Sequence, residues 1–116
     1  MWALADPERL GAVAREALED PAHEVFASAA SIWEIAIKAG LGKIEFPLDA
    51  LAPSMSAAGV TELPVSIRHA TAVRDLPAHH RDPFDRMLVA QAIVEGLVLV
   101  SRDRQLGAYG VRIVWE

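Results

Sequence analysis

The chain has 116 residues, 53% of them hydrophobic and 23% charged, which suffices for one domain with one core and excludes a disordered tail. It contains no cysteine and carries a formal net charge of −5; disulfides and thiolate metal sites are excluded, and a basic surface that passively coats nucleic acid is argued against. No apolar run reaches the roughly 18 residues of a membrane span, and Met1 to Asp6 lacks the basic and apolar regions of a signal peptide, so the sequence predicts a soluble cytoplasmic protein with no membrane contact.

In chain order, Glu8 to Glu19 reads as a helix, with Leu10, Val13, Ala14, Ala17 and Leu18 at helical spacing, ended by Asp20-Pro21. Glu24 to Ala27 reads as a short strand. A helix follows, capped by Ser28 or Ser31, running to Ala39 and stopped by Gly40. Trp33 on this helix is predicted to lie in the core. A helix over Leu48 to Ala58, a strand over Thr61 to Val65 and a short helix over Ser66 to Arg74 come next.

The clearest unit starts at Asp82-Pro83-Phe84-Asp85, which supplies a cap, a proline at the first helical position and an acid at the third. Met87 to Val94 is apolar nearly all round and predicts a buried helix closed by Gly96. Leu97-Val98-Leu99-Val100 is a continuous apolar run, the pattern of a parallel strand covered on both faces. Ser101-Arg102-Asp103, a short helix and a last strand over Val111 to Trp115 complete the chain. Helices and strands alternating at this spacing imply an α/β fold with a mostly parallel sheet.

Such sheets bind ligands outside the carboxyl ends of their strands. A helix from Pro83 to Glu95 covers roughly 20 Å, and a strand running on to Asp103 returns about the same distance, so Asp85 and Asp103 are placed at one edge. Glu34, soon after the first strand, falls at the same edge. Gathered carboxylates raise one another's pKa, and a hard divalent cation offsets the repulsion. The chemistry implied is metal-assisted hydrolysis of a phosphodiester. Arg81, Arg86, Arg102 and Arg104 surround the acids, with Lys38 and Lys43 nearby, as phosphate contacts or balancing charges. His79-His80 offers no metal-ligand spacing and reads as a solvated loop. Asp82 reads as the helix cap.

Ser28-Ala29-Ala30-Ser31-Ile32-Trp33-Glu34-Ile35-Ala36-Ile37-Lys38 resembles the second-acid helix of PIN-domain ribonucleases of the VapC toxin type. His79 to Ala92 resembles their third-acid segment, and Leu99-Val100-Ser101-Arg102-Asp103 resembles the strand that ends in the fourth acid. The resemblance implies a single PIN-like domain over residues 1–116, a three-layer sandwich with a mostly parallel central sheet. It implies that Glu34, Asp85 and Asp103 hold Mg²⁺, with Mn²⁺ as the alternative, and that Ser101 helps position water or metal. It also implies RNA as substrate, contacted by Lys38, Arg81, Arg86, Arg102 and Arg104, a small VapB-like antitoxin as partner, and a homodimer.

One departure from the family pattern stands out. Trp2-Ala3-Leu4-Ala5-Asp6-Pro7 resembles the segment that follows the family's first helix. The family's first central strand, with its acid, is therefore expected to be absent, and Asp6 is set aside as a loop residue. Loss of the middle ladder predicts an unstable or inactive chain, so a non-catalytic module that dimerises or captures the antitoxin is the alternative function. A nucleotide-binding domain is disfavoured, because no glycine-rich phosphate loop is present.

Overall fold

The structure is a computed structural model and describes residues 2–5, 24–45, 47–79, 81–101, 104–111 and 113–114. Five short strands form one sheet: β1 (Trp2–Ala5), β2 (Glu24–Ser28), β3 (Val60–Leu63), β4 (Val98–Val100) and β5 (Ile113–Val114). Their order is β3-β2-β1-β4-β5, and every pairing is parallel. Four α-helices lie among the described residues: α1 (Ala29–Gly40), α2 (Leu51–Ala57), α3 (Ile67–Ala72) and α4 (Pro83–Glu95). The predicted helix over residues 8–19 lies outside the described residues.

The expected gap at the centre of the sheet is corrected here. β1 occupies that position, with Ala3, Leu4 and Ala5 opposite Val25, Phe26 and Ala27 on one side and Val98, Leu99 and Val100 on the other. The physical reason is the demand of the neighbouring ladders: β2 and β4 would otherwise bury unpaired amides and carbonyls. The short apolar stretch from Trp2 to Ala5 satisfies both. Its small residues suit a strand covered on both faces, and Ala3, Leu4 and Ala5 are all fully buried.

Alternation along the strands divides the core into two halves. Ala3, Ala5, Val25, Ala27, Val60 and Val100 face one side, where Met55 of α2 and Ala58 pack on them. Leu4 and Leu99 face the other and meet Leu88, Val89 and Ala92 of α4, with Leu106 beyond. Helices thus cover both faces of the sheet, which is the three-layer arrangement the family resemblance implies.

The helix ends follow from local chemistry. Asp82 caps α4, its Oδ1 accepting from the backbone N–H of Phe84 at 2.8 Å and of Asp85 at 3.3 Å, with Pro83 in the first turn and Gly96 left-handed at the C-terminus (φ 67°). Ser28 caps α1. Gly40, predicted to stop α1, is its last helical residue; the left-handed turn comes two residues later at Gly42 (φ 72°), whose N–H donates to Ala39 O at 3.1 Å. At α3, Ser66 and His69 cap each other reciprocally. The Ser66 N–H donates to His69 Nδ1, which leaves the ring proton on Nε2, where it donates to Glu95 Oε1 at 2.7 Å and pins α3 to α4.

Candidate active site

The sheet changes direction between β1 and β4. From β1 the chain builds outward through β2 and β3, then crosses back to place β4 and β5 on the other side. A strand-order reversal opens a crevice at the carboxyl ends of the two central strands. Ala5, Ala27 and Val100 form one row across that edge. The residues that follow them in the chain are Asp6, Ser28 and Ser101. Ser28 and Ser101 are both buried; Asp6 lies outside the described residues.

Two helices bring the acids to this edge. α1 departs from the end of β2, and Glu34 sits in its second turn with its side chain 18% exposed. α4 runs against the strands, so its N-terminus and Asp85 in its first turn return to the same edge, where Asp85 is half-buried. The two helices touch here: Trp33 and Phe84 meet edge to face with ring centroids 5.2 Å apart. Each of these rings is the chain neighbour of one acid. A groove of about 460 Å³ opens beside the contact, lined by Glu34, Lys38, Lys43, Arg81, Asp82 and Phe84 among others. In an acidic chain this groove collects three cations.

Asp103 and Arg102 lie outside the described residues, as does the side chain of Arg104. Among the described residues no three acids or histidines stand close enough to hold a metal ion; Glu34 and Asp85 are the predicted ligands the structure describes. Lys38 Nζ lies 3.3 Å from Glu34 Oε2, one helical turn away, so this cation first serves as the counter-ion of Glu34.

Two sequence-based expectations need correction. Arg86, expected to contact RNA, turns its guanidinium inward. It donates to Pro77 O at 2.8 Å, Val73 O at 3.1 Å and Leu76 O at 3.3 Å, with Tyr109 Oη at 3.5 Å. These bonds hold the 73–77 segment to α4. Trp33, expected in the core, is 63% exposed. The buried side of α1 carries Ala30, Ser31 and Ile35, and helical phase rotates Trp33 away from it. Ser31, which the sequence offers only as an alternative cap to Ser28, lies buried in the first turn of α1. Its spacing of three before Glu34 sets both on one side of the helix.

The PIN domain family model matches residues 1–111. The chain belongs to the PIN domain family. It is 34% identical over 114 residues to a Mycobacterium tuberculosis protein named Ribonuclease VapC22, an alignment that covers 93% of this chain and 84% of that protein. VapBC2 from Rickettsia felis, solved on a DNA fragment from its promoter, superposes with a TM-score of 0.72 at 10% identity and full coverage of both chains. VapBC-1 from nontypeable Haemophilus influenzae superposes with a TM-score of 0.67 at 12% identity, covering 99% of this chain and 98% of that one. At those identities the structural likeness concerns the fold alone. No helix among the described residues is long and apolar enough to cross a membrane.

Proposed function

We propose that this PIN domain is a divalent-cation-dependent endoribonuclease, the toxin of a toxin–antitoxin pair. The observation that carries this reading is the meeting of α1 and the start of α4 beside the strand-order reversal, which brings Glu34 and Asp85 to one edge of the sheet. Likeness to a protein named a ribonuclease supports it. The donors at this edge are carboxylates and the buried hydroxyls of Ser31 and Ser101, an all-oxygen set that suits Mg²⁺, or Mn²⁺, rather than a soft metal. Glu34, Asp85 and Asp103 would hold the ion. Its chemistry, when bound, is to acidify a water and to offset charge on the phosphate under attack.

The chain's own groups do the rest. Ser101, directly after β4, orients the oxygen ligands. Lys38 neutralises Glu34 and keeps its carboxylate from repelling the substrate. Arg81 and Lys43 line the groove and bind phosphates of the RNA on either side of the cut, and Arg102 and Arg104 extend that basic track beyond β4. A fourth acid has its place at the end of β1, where the chain continues into Asp6. The reading includes a VapB-like antitoxin as partner, a second copy of the chain, and the cytoplasm as the place of action.

Incubating purified protein with single-stranded RNA in Mg²⁺ tests it. Cleavage is expected, abolished by EDTA and restored by Mg²⁺ or Mn²⁺. Glu34→Gln and Asp85→Asn should each lower the rate by more than about a hundredfold, beyond the cost of losing an outer-shell partner, with melting temperatures near wild type. Metal-independent cleavage, or activity retained in both variants, would refute the assignment. Antitoxin binding without cleavage would leave a binding module.

A further inference from the structure

We infer that Ser31 is a positioning residue of the metal site, its hydroxyl donating to the oxygens that surround the cation. This rests on the metal-dependent reading proposed above.

Ser31 is 1% exposed, and among the described residues its Oγ has no hydrogen-bond partner. A hydroxyl in a helix ordinarily satisfies itself by bonding back to a carbonyl three or four residues earlier. Thr71 does so in α3, its Oγ1 donating to Ile67 O at 2.9 Å. Ser28, the other buried serine at this end of α1, is also satisfied, accepting from the Ala30 N–H at 3.0 Å. Ser31 makes no such back-bond among the described residues, and as the third residue of α1 it stands past the cap position where Ser28 accepts its bond. A buried hydroxyl left unpaired destabilises the fold, and alanine would fill the position without that penalty. The other such atom among the described residues, Gln91 Oε1, belongs to a side chain already anchored through Nε2 to Pro64 O at 3.3 Å, so its case differs.

Position gives the unused hydroxyl its purpose. Ser31 lies in the first turn of α1, immediately after the end of β2 and therefore level with the carboxyl edge of the sheet. Glu34 stands three residues later on the same side of the helix. A donor one turn from a ligand carboxylate, at the edge where β1 and β4 end, is placed to hold a ligand oxygen or a coordinated water in line. Groups of this kind set the orientation of ligands and thereby metal affinity.

The test uses the intact chain and two readouts, Mn²⁺ binding followed by electron paramagnetic resonance without RNA, and thermal melting without metal. Ser31→Ala should melt at or above the wild-type temperature, because it removes an unsatisfied hydroxyl, yet bind Mn²⁺ about tenfold more weakly. Ser31→Thr, which keeps the hydroxyl, should recover most of that loss. Glu34→Gln serves as the reference for loss of a ligand. If Ser31→Ala binds Mn²⁺ like wild type while Glu34→Gln does not, Ser31 has no part in the site. If Glu34→Gln also binds like wild type, the metal site itself is misassigned and this inference falls with it. A Ser31→Ala chain that melts well below wild type would overturn it too, since the hydroxyl would then be serving the fold.

Discussion

The middle strand is the feature on which both fold and site depend, and Leu4→Ala is the sharpest probe of it. Leu4 is fully buried and packs with Leu88, Val89, Leu99 and Leu106. Truncating such a side chain removes its transfer free energy and leaves a cavity, a loss of about 3–5 kcal/mol. Total stability for a domain of this size is about 5–15 kcal/mol. With a urea m-value of about 1–3 kcal/mol/M, the midpoint should fall by roughly 1–5 M, about 2 M at the middle of both ranges. Urea unfolding of purified protein, followed by circular dichroism, measures this directly. Ile67→Ala, at a side chain 84% exposed, is the control and should shift stability by no more than about 0.5 kcal/mol. Cleavage should fall with the folded fraction, because Ala5 shares its row with Ala27 and Val100 at the site edge. A Leu4→Ala midpoint no lower than that of Ile67→Ala would refute the placement of β1 in the sheet.

Three further outcomes separate structure from chemistry at the site. Arg86→Ala should destabilise the fold by about 2–3 kcal/mol, as a charged donor to half-buried carbonyls is lost, while activity per folded molecule stays near wild type; a selective loss of RNA affinity in a melt-neutral variant would restore Arg86 to the substrate. Arg81→Ala should leave the melting temperature unchanged, weaken RNA binding uniformly across sequences and reduce the salt-dependence slope by about one; fluorescence anisotropy over a salt series checks both. Asp6→Asn should lower cleavage as far as Glu34→Gln does if Asp6 supplies the acid after β1, and wild-type cleavage would return it to the loop role that its sequence context suggests.

Where the sequence was informative, the signal was local. The Asp82-Pro83 start, the apolar run to Val94 and the Gly96 stop specify α4, because cap, first-turn proline and left-handed glycine act within a few residues. The apolar run to Val100 likewise specifies β4. The role of Arg86 depends instead on carbonyls 9, 10 and 13 residues away in the chain. Nothing in the local pattern separates that brace from a solvent-facing cation such as Arg81, five residues earlier. Trp33 was partly legible: its apolar neighbours suggested the core, but helical phase from Ala30, Ser31 and Ile35 puts it on the outer side.

β1 illustrates a harder ambiguity. Trp2 to Ala5 matches the family as a segment following a helix, yet physically it is also a short apolar run with no polar side chain, and a run that short carries no period to choose between strand and loop. The choice is made by the rest of the fold. With β2 and β4 each presenting an open ladder toward the same slot, placing four apolar residues there satisfies two rows of backbone groups at once. The same step decides the chemistry, because whichever segment fills the slot determines which residue follows it to the acid edge. That is why the stability of Leu4→Ala and the activity of Asp6→Asn, measured in one preparation, test one proposition: a chain that tolerates both changes has a different strand at the centre of its sheet and a different source for its fourth acid.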